Sequence, residues 1–266
     1  MTRFLIFTDL DGTLLDHHTY SYDAARPALE RLRKSAIPLI MVSSKTRIEM
    51  EVLRTEIDNQ DPFIPENGGA VFIPGDYDLF VPDHAIEMAG YRVILLGLQV
   101  SRIADAFDKL AAKIPVRALS RMSVAQVAEL TGLSLAQAEA AKNREFGEAF
   151  ILDDPELEES VLYREVQALG LRLTKGGRFW HLLGENDKGR AVSLLSDLFR
   201  KRYPDIMTIG FGDAPNDAPM LAVVDQPFLV ARPDGTHQSL MLPKLTKVPF
   251  PGPAGVNHAL LSLLAE

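Results

Sequence analysis

Two aspartates, Asp9 and Asp11, stand two residues apart where a short apolar run ends, in "FLIFTDLDGTLLD" from Phe4 to Asp16. If the run is a strand, residues at i and i+2 point to one face. Carboxylates placed so close repel and raise each other's proton affinity unless a cation offsets the repulsion. Three further stretches carry groups suited to that cation or to a phosphate: Ser43-Ser44-Lys45 closing "IPLIMVSSK", Lys188 in "ENDKGRAV", and Gly212 to Asp217, "GDAPND", closing "IMTIGFGD". Several carboxylates with no His or Cys among them make a hard oxygen site, which suits Mg²⁺. A lysine and a hydroxyl beside it can hold phosphate oxygens. A carboxylate can attack phosphorus and carry the phosphoryl group as an aspartyl-phosphate. A second carboxyl can protonate the leaving oxygen and then activate water.

These groups must be brought together by the elements between them. "RFLIFTD" and "IPLIMVSS" read as buried strands, "SYDAARPALERLRKSA" and "TRIEMEVLRTEI" as helices, with Ser21 a candidate cap of the first. Ser43 and Ser44 are candidate caps of the second. "PFIPENGGAVFIP" reads as strand, turn and strand, with Asn67-Gly68-Gly69 a tight turn of positive φ. After residue 185 the alternation resumes: helix in "DKGRAVSLLSDLFRKRYP", strand in "DIMTIGFGD", short helix in "APNDAPMLAVV", strand in "QPFLVA" and a closing helix in "GVNHALLSLLAE", with "PFPGPAGV" a loop before it. Continuous apolar strands alternating with helices indicate an α/β fold, a doubly wound parallel sheet. Ligands of such sheets bind beyond the carboxyl ends of the strands. Three of the four stretches close strands, so Asp9, Asp11, Ser43 and Asp213 are expected to meet.

The middle of the chain differs. Helices are expected at 101–114, 123–129, 134–142 and 155–169, between strand-like pieces "YRVILLG", "EAFIL", "LRLTKGG" and "RFWHLLG". That order predicts an α+β insert at 83–184, carried by a core made of 1–82 and 185–266. Within the insert, "MSVAQVAELTGLSLAQAEAAKNRE" has the helix, Gly turn, helix pattern of a DNA-binding domain. Its second helix, "SLAQAEAAK", is almost bare of side chains that read bases or bind phosphates.

The 266 residues are 47% hydrophobic and 24% charged, enough to bury a core. A net charge of -8 makes the chain a poor general binder of nucleic acid or anionic membrane. It has no cysteine, which excludes disulfides, zinc–thiolate sites and thiol nucleophiles. The first apolar run is too short for a signal segment, and no run approaches the ~18 apolar residues of a membrane span. A cytoplasmic protein with a small-molecule substrate and no nucleic acid or membrane partner is expected.

"DLDGT", "SSK", "DKG" and "GDAPND", in that order, resemble the four motifs of the haloacid dehalogenase superfamily of phosphotransferases. The resemblance implies a Rossmann-like core with an inserted cap. It implies that Asp9 is the nucleophile and Asp11 the general acid/base. Ser43, Ser44 and Lys188 would bind the phosphoryl group. Asp213 would ligate Mg²⁺ together with Asp9 and the Asp11 carbonyl, with Asn216 and Asp217 supporting them from behind. "SSKTRIEME", "PFIPENGGAVFIP", "NREFGEAFIL" and "GGRFWHLLG" are similar to the mannosyl-3-phosphoglycerate phosphatases, which release the compatible solute mannosylglycerate. That narrower resemblance implies a mannosyl or glucosyl phosphoglycerate as substrate. Arg144 and Arg178 would pair with its carboxylate, Glu145, Glu148 and His181 would bind hydroxyls, and Gly176 and Gly177 would bring backbone N–H groups to an anion. Trp180 reads as core, and Lys45 reads equally as a solvated lysine. Two other readings are a broader sugar-phosphate phosphatase and, remotely, a helix-turn-helix DNA-binding protein.

Overall fold

The apolar runs become the centre of a nine-stranded sheet in the computed structural model, which describes residues 3–265. The chain runs β1 (Arg3–Thr8), α1 (Arg26–Lys34), β2 (Leu39–Val42), α2 (Arg47–Glu56), β3 (Phe63–Ile64), β4 (Ala70–Pro74), β5 (Ile86–Met88) and β6 (Tyr91–Leu95). It then builds α3 (Val100–Ala111), β7 (Val116–Ala118), α4 (Val124–Thr131), α5 (Leu135–Lys142), β8 (Gly147–Leu152), α6 (Glu159–Ala168), β9 (Arg172–Gly176) and β10 (Phe179–Leu183). It returns with α7 (Lys188–Arg202), β11 (Ile206–Gly212), α8 (Ala218–Leu221), β12 (Gln226–Ala231), β13 (Thr246–Pro251) and α9 (Gly252–Leu263).

The large sheet has the order β13-β12-β11-β1-β2-β3-β4-β6-β5. Pairing is parallel from β13 to β3 and antiparallel from there to β5. Strand periodicity divides β1 between two cores. Ile6 packs under α1, α2 and α9 with Leu32, Met50 and Leu260. Leu5 and Phe7 pack on the other face against Val192, Leu195 and Phe199 of α7 and Met220 of α8. Each such buried side chain stabilises by roughly 1.5–3 kcal/mol, so β1 is pinned from both sides. It also lies at the switch point, with β11 on one side and β2 on the other, where the crevice opens.

The four strands β7-β8-β10-β9 form a separate antiparallel sheet. Ile103 and Phe107 of α3 and Leu162 and Val166 of α6 cover it, together with Phe150, Trp180 and Leu182 of its own strands. Helices α4 and α5 form the expected pair, each opened by a capping box (Ser123 with Gln126, Ser134 with Gln137), with Gly132 between them at φ 80°. Their inner face is spent on Val127, Ala138 and Ala141, and Thr46 Oγ1 donates to the Ala140 carbonyl oxygen at 3.0 Å.

Several expectations are corrected. "YRVILLG" pairs with β4 as β6 and so joins the large sheet instead of the smaller one. Ser21 does not cap α1: its hydroxyl bonds Asp23, and a short 3-10 turn at Asp23–Ala25 leads into the helix. Thr46, not Ser43 or Ser44, caps α2, in a capping box with Glu49. "PFPGPAGV" is not a loop: its first three residues end edge strand β13 and the rest opens α9, and the two strand prolines are tolerated because an edge leaves some N–H positions unpaired.

Candidate active site

β1 ends at Thr8, so Asp9 and Asp11 lie on the loop beyond it and not on a strand face. The loop is tight: Thr13 N donates to Leu10 O at 3.0 Å, Leu15 N to Leu10 O at 2.8 Å and Gly12 N to Leu15 O at 2.9 Å. Gly12 has φ 82°, and a Cβ there would sit 2.7 Å from Asp213 Oδ2. Only glycine lets the loop pass that close to the carboxylate. Both aspartates still line one cavity of about 1070 Å³, with Ser44, Lys45, Arg144, Gly176, Gly177, Arg178, His181, Asp213 and Asn216. A hollow of about 1120 Å³ at the opposite ends of the strands is lined by Arg3, Leu39, Asp61 and Tyr203. Its Asp61 carboxylate is already committed to Leu39 N, Asn59 and Tyr77.

Lys188 enters as the first residue of α7, whose N-cap Asp187 accepts from Arg190 N at 2.8 Å. A cation there opposes the helix dipole, and the answer lies at its tip. Nζ donates to Asp9 Oδ1 and to Asp217 Oδ1, each at 2.6 Å, and the lysine side chain is wholly buried. Burial favours the neutral amine, but the two carboxylates outweigh it and push the Lys188 pKa up. The other oxygen of Asp217 accepts from Asp213 N at 3.0 Å and Ala214 N at 3.1 Å, so Asp217 ties the end of β11 to the lysine.

Asp9, Asp213 and Asp217 each offer an oxygen within 4.8 Å of the others. With both Asp217 oxygens engaged, the donors left to face a cation are Asp9 and Asp213, the latter steadied by Thr13 Oγ1 at 3.1 Å. Burial and the neighbouring carboxylates raise Asp9 well above the usual range and Asp213 to about 7. A divalent cation would reverse both shifts, and the oxygen-only donor set suits a hard ion. Asp11 lines the same cavity, its carboxylate 3.0 Å from Lys45 Nζ.

The remaining expected residues divide. Ser44 lines the cavity, whereas Ser43 is buried behind it, its Oγ accepting from Lys45 N at 3.2 Å. Asn216 lines it too, its amide 3.5 Å from Asn67 Oδ1. Above the core loops, Arg144 and His181 form a buried wall. Arg144 Nη2 donates to Ser44 O at 3.0 Å. Burial, with Arg144 and Lys188 nearby, lowers the His181 pKa well below 6.5, so its ring is neutral; Nδ1 is buried with no partner among the described residues. Gly176 lies over Asn216, where a Cβ would come within 3.4 Å of the amide. Glu145 and Glu148 are not at the cavity. Glu145 is held by Arg47 at 3.0 Å, and Glu148 accepts from Ser120 Oγ at 2.5 Å. Arg178 reaches the rim, where it is tied to the Leu130 carbonyl. Trp180 is buried core, under Tyr163.

Residues 6–83 match the family model described as haloacid dehalogenase-like hydrolase. A protein of Methanococcoides burtonii named glucosyl-3-phosphoglycerate/mannosyl-3-phosphoglycerate phosphatase is 43% identical, over 99% of this chain and 98% of its own. The chain belongs to the haloacid dehalogenase-like hydrolases. A second protein of the same name, from Persephonella marina, is 40% identical over 98% of this chain and 97% of its own. The crystal structure of Thermoplasma acidophilum 0175 has the same fold, with a TM-score of 0.71 at 16% identity and full coverage of both chains.

Within this hydrolase scaffold, two site groups, Tyr20 and Glu66, lay outside the sequence-based expectation, and a third, Lys45, was left open by it. Lys45 is half-buried between Asp11 and Glu49, and those two charges push its pKa up against the desolvation that would lower it; its place directly after Ser43-Ser44 was the available signal. Tyr20 lies over Lys45, 5.2 Å from ring centre to Nζ, on a backbone of positive φ that its sequence does not announce. Glu66, in "PENGG", is wholly buried, and a carboxylate between an apolar strand and a glycine turn was its only mark. No described helix is long and apolar enough to cross a membrane.

Proposed function

We propose that this chain hydrolyses the phosphate monoester of a glycosyl-3-phosphoglycerate, glucosyl or mannosyl, through an aspartyl-phosphate on Asp9. The observation that carries the chemistry is the buried Asp9–Lys188–Asp217 triplet, whose Asp9 lines the cavity. The relatives' shared name, with identity across almost the whole chain, supports the substrate. We also propose that the elements between Leu98 and Gly184 act as a substrate-selecting cap on a core made of the rest.

Asp9 attacks phosphorus with one carboxylate oxygen as the ester oxygen–phosphorus bond breaks. Asp11 would give a proton to the departing glycerate oxygen. It then takes a proton from the water that attacks the phosphoryl group, releasing phosphate and restoring Asp9. Lys45 keeps Asp11 aimed into the cavity. Lys188 holds Asp9 in place, with Ser44 and Lys188 binding phosphoryl oxygens. Asp9, Asp213 and the Asp11 carbonyl would hold Mg²⁺, which would supply neutralisation of the charge between carboxylate and phosphate. Arg144 and His181 face the glycerate carboxylate and sugar hydroxyls, and the cap excludes bulk water.

Comparing kcat/KM across a panel of phosphate esters, with and without Mg²⁺, tests this reading. Preference for glycosyl-3-phosphoglycerates by more than about tenfold and dependence on Mg²⁺ are expected. A flat profile over hexose and sucrose phosphates would favour a broad sugar-phosphate phosphatase instead.

A further inference from the structure

The turn between β3 and β4 is strained. Glu66, Asn67 and Gly68 have successive φ values of 48°, 54° and 87°. Left-handed backbone at a non-glycine residue costs on the order of 1–2 kcal/mol and persists only where the surroundings over-determine it. Here they do. Glu66 N donates to Lys45 O at 2.9 Å and Asn67 N to Ser43 O at 2.8 Å. On the other side a Cβ on Gly68 would lie 2.2 Å from the Asp187 carbonyl oxygen, just before Lys188. The turn is thus clamped between the Ser43–Lys45 loop and the start of α7.

What this clamped turn presents to the inserted elements is one carboxylate. Glu66 is wholly buried and accepts from Glu145 N at 2.7 Å and Phe146 N at 3.0 Å, while Arg144 Nε lies 3.5 Å from its Oε2. Arg144 crosses from there to Ser44 and lines the cavity. A guanidinium binds a carboxylate through a planar fork, and the gain is largest when that plane is already fixed.

We propose that Glu66 is a positioning residue: from the strained core turn it fixes the Arg144 guanidinium and the 144–146 backbone, and so builds the subsite for the substrate's glycerate carboxylate. Glu66 takes no part in bond making. The proposal rests on the substrate reading above, because it needs a second anion on the substrate besides the phosphate.

The test uses the intact enzyme and two substrates that differ only in that charge, glucosyl-3-phosphoglycerate and its carboxyl methyl ester. The ratio of their kcat/KM values is measured for the unaltered chain, Glu66→Gln, Arg144→Gln and the double variant. The unaltered chain is expected to favour the acid by more than about tenfold, as a charge-assisted bond supplies. Glu66→Gln is expected to compress that ratio by about tenfold, mainly through KM. The double variant is expected to compress it no further than Arg144→Gln alone, since the two act as one unit. If Glu66→Gln slows both substrates by the same factor and the ratio holds, Glu66 is merely structural and the proposal is overturned. If the unaltered chain hydrolyses both equally, the glycerate-recognition reading falls, and the subsite with it, which is a distinct result. Glu66→Asp keeps the charge but withdraws it by one methylene; it is expected to compress the ratio too, and covers the case in which the Gln variant does not fold.

Discussion

Lys188 in α7 and His181 in β10 are both buried, in opposite electrostatic settings. Lys188 sits between two carboxylates that keep it charged. His181 is kept neutral by its burial first and by two nearby cations second, with a ring nitrogen left without a partner among the described residues. The difference separates two tasks. The core groups are completed by one another, so the phosphate-handling floor exists before any substrate arrives. The wall above is polar but open, and a ligand must complete it. Chemistry should therefore fail on the core side for every ester, and selection should fail on the inserted side for the cognate ester alone.

The largest effect expected to sharpen this contrast is Asp9→Asn, which should lower kcat by roughly 10⁴-fold or more on every phosphate ester, as loss of a nucleophile does. Steady-state assays on a glycosyl-3-phosphoglycerate and on p-nitrophenyl phosphate would show it. Lys188→Met should also cost stability, by about 3–5 kcal/mol in urea unfolding, because it strands two buried carboxylates. Arg144→Gln, in contrast, should raise KM for the glycosyl substrate about 10- to 100-fold while p-nitrophenyl phosphate is affected far less.

The two sides should also differ in pH response. Asp213, held near 7 in the fold, binds more protons folded than unfolded between about pH 4 and 7. Metal-free protein should therefore lose stability as pH rises through that window, and Mg²⁺ should restore it most at the upper end. His181 acts the other way: its folded pKa lies below the unfolded value, so stability should fall as pH drops below about 6.5. Thermal unfolding against pH, with Mg²⁺ and with chelator, separates them, and His181→Gln should remove only the acid limb. The smallest effect expected is at a helix cap far from the chemistry. Ser123→Ala should cost about 1 kcal/mol of stability and leave kcat unchanged.

The core was legible in the sequence because its signals are local. Asp9, Lys188 and Asp213 each stand at a strand end or helix start, and the switch-point rule brings such ends together. The second wall was less legible because its assembly is tertiary. Nothing in "NREFGEAF" shows that Arg144 reaches the cavity while Arg47 and Ser120 claim Glu145 and Glu148. Likewise "YRVILLG" reads as a strand in any sheet, and only its pairing with β4 assigns it to the large one. Lys45 was ambiguous for a similar reason: its charge is explained by Asp11, and their contact depends on how the two loops approach.

The central claim, that Asp9 carries the phosphoryl group on a core built independently of the substrate's sugar, has a direct test. The enzyme is mixed with substrate bearing a ³²P-labelled phosphate, quenched in acid within one turnover and digested. The label is expected on the peptide containing Asp9, and absent in Asp9→Asn. Rapid phosphate release with no labelled peptide, or with label on another residue, would contradict the account.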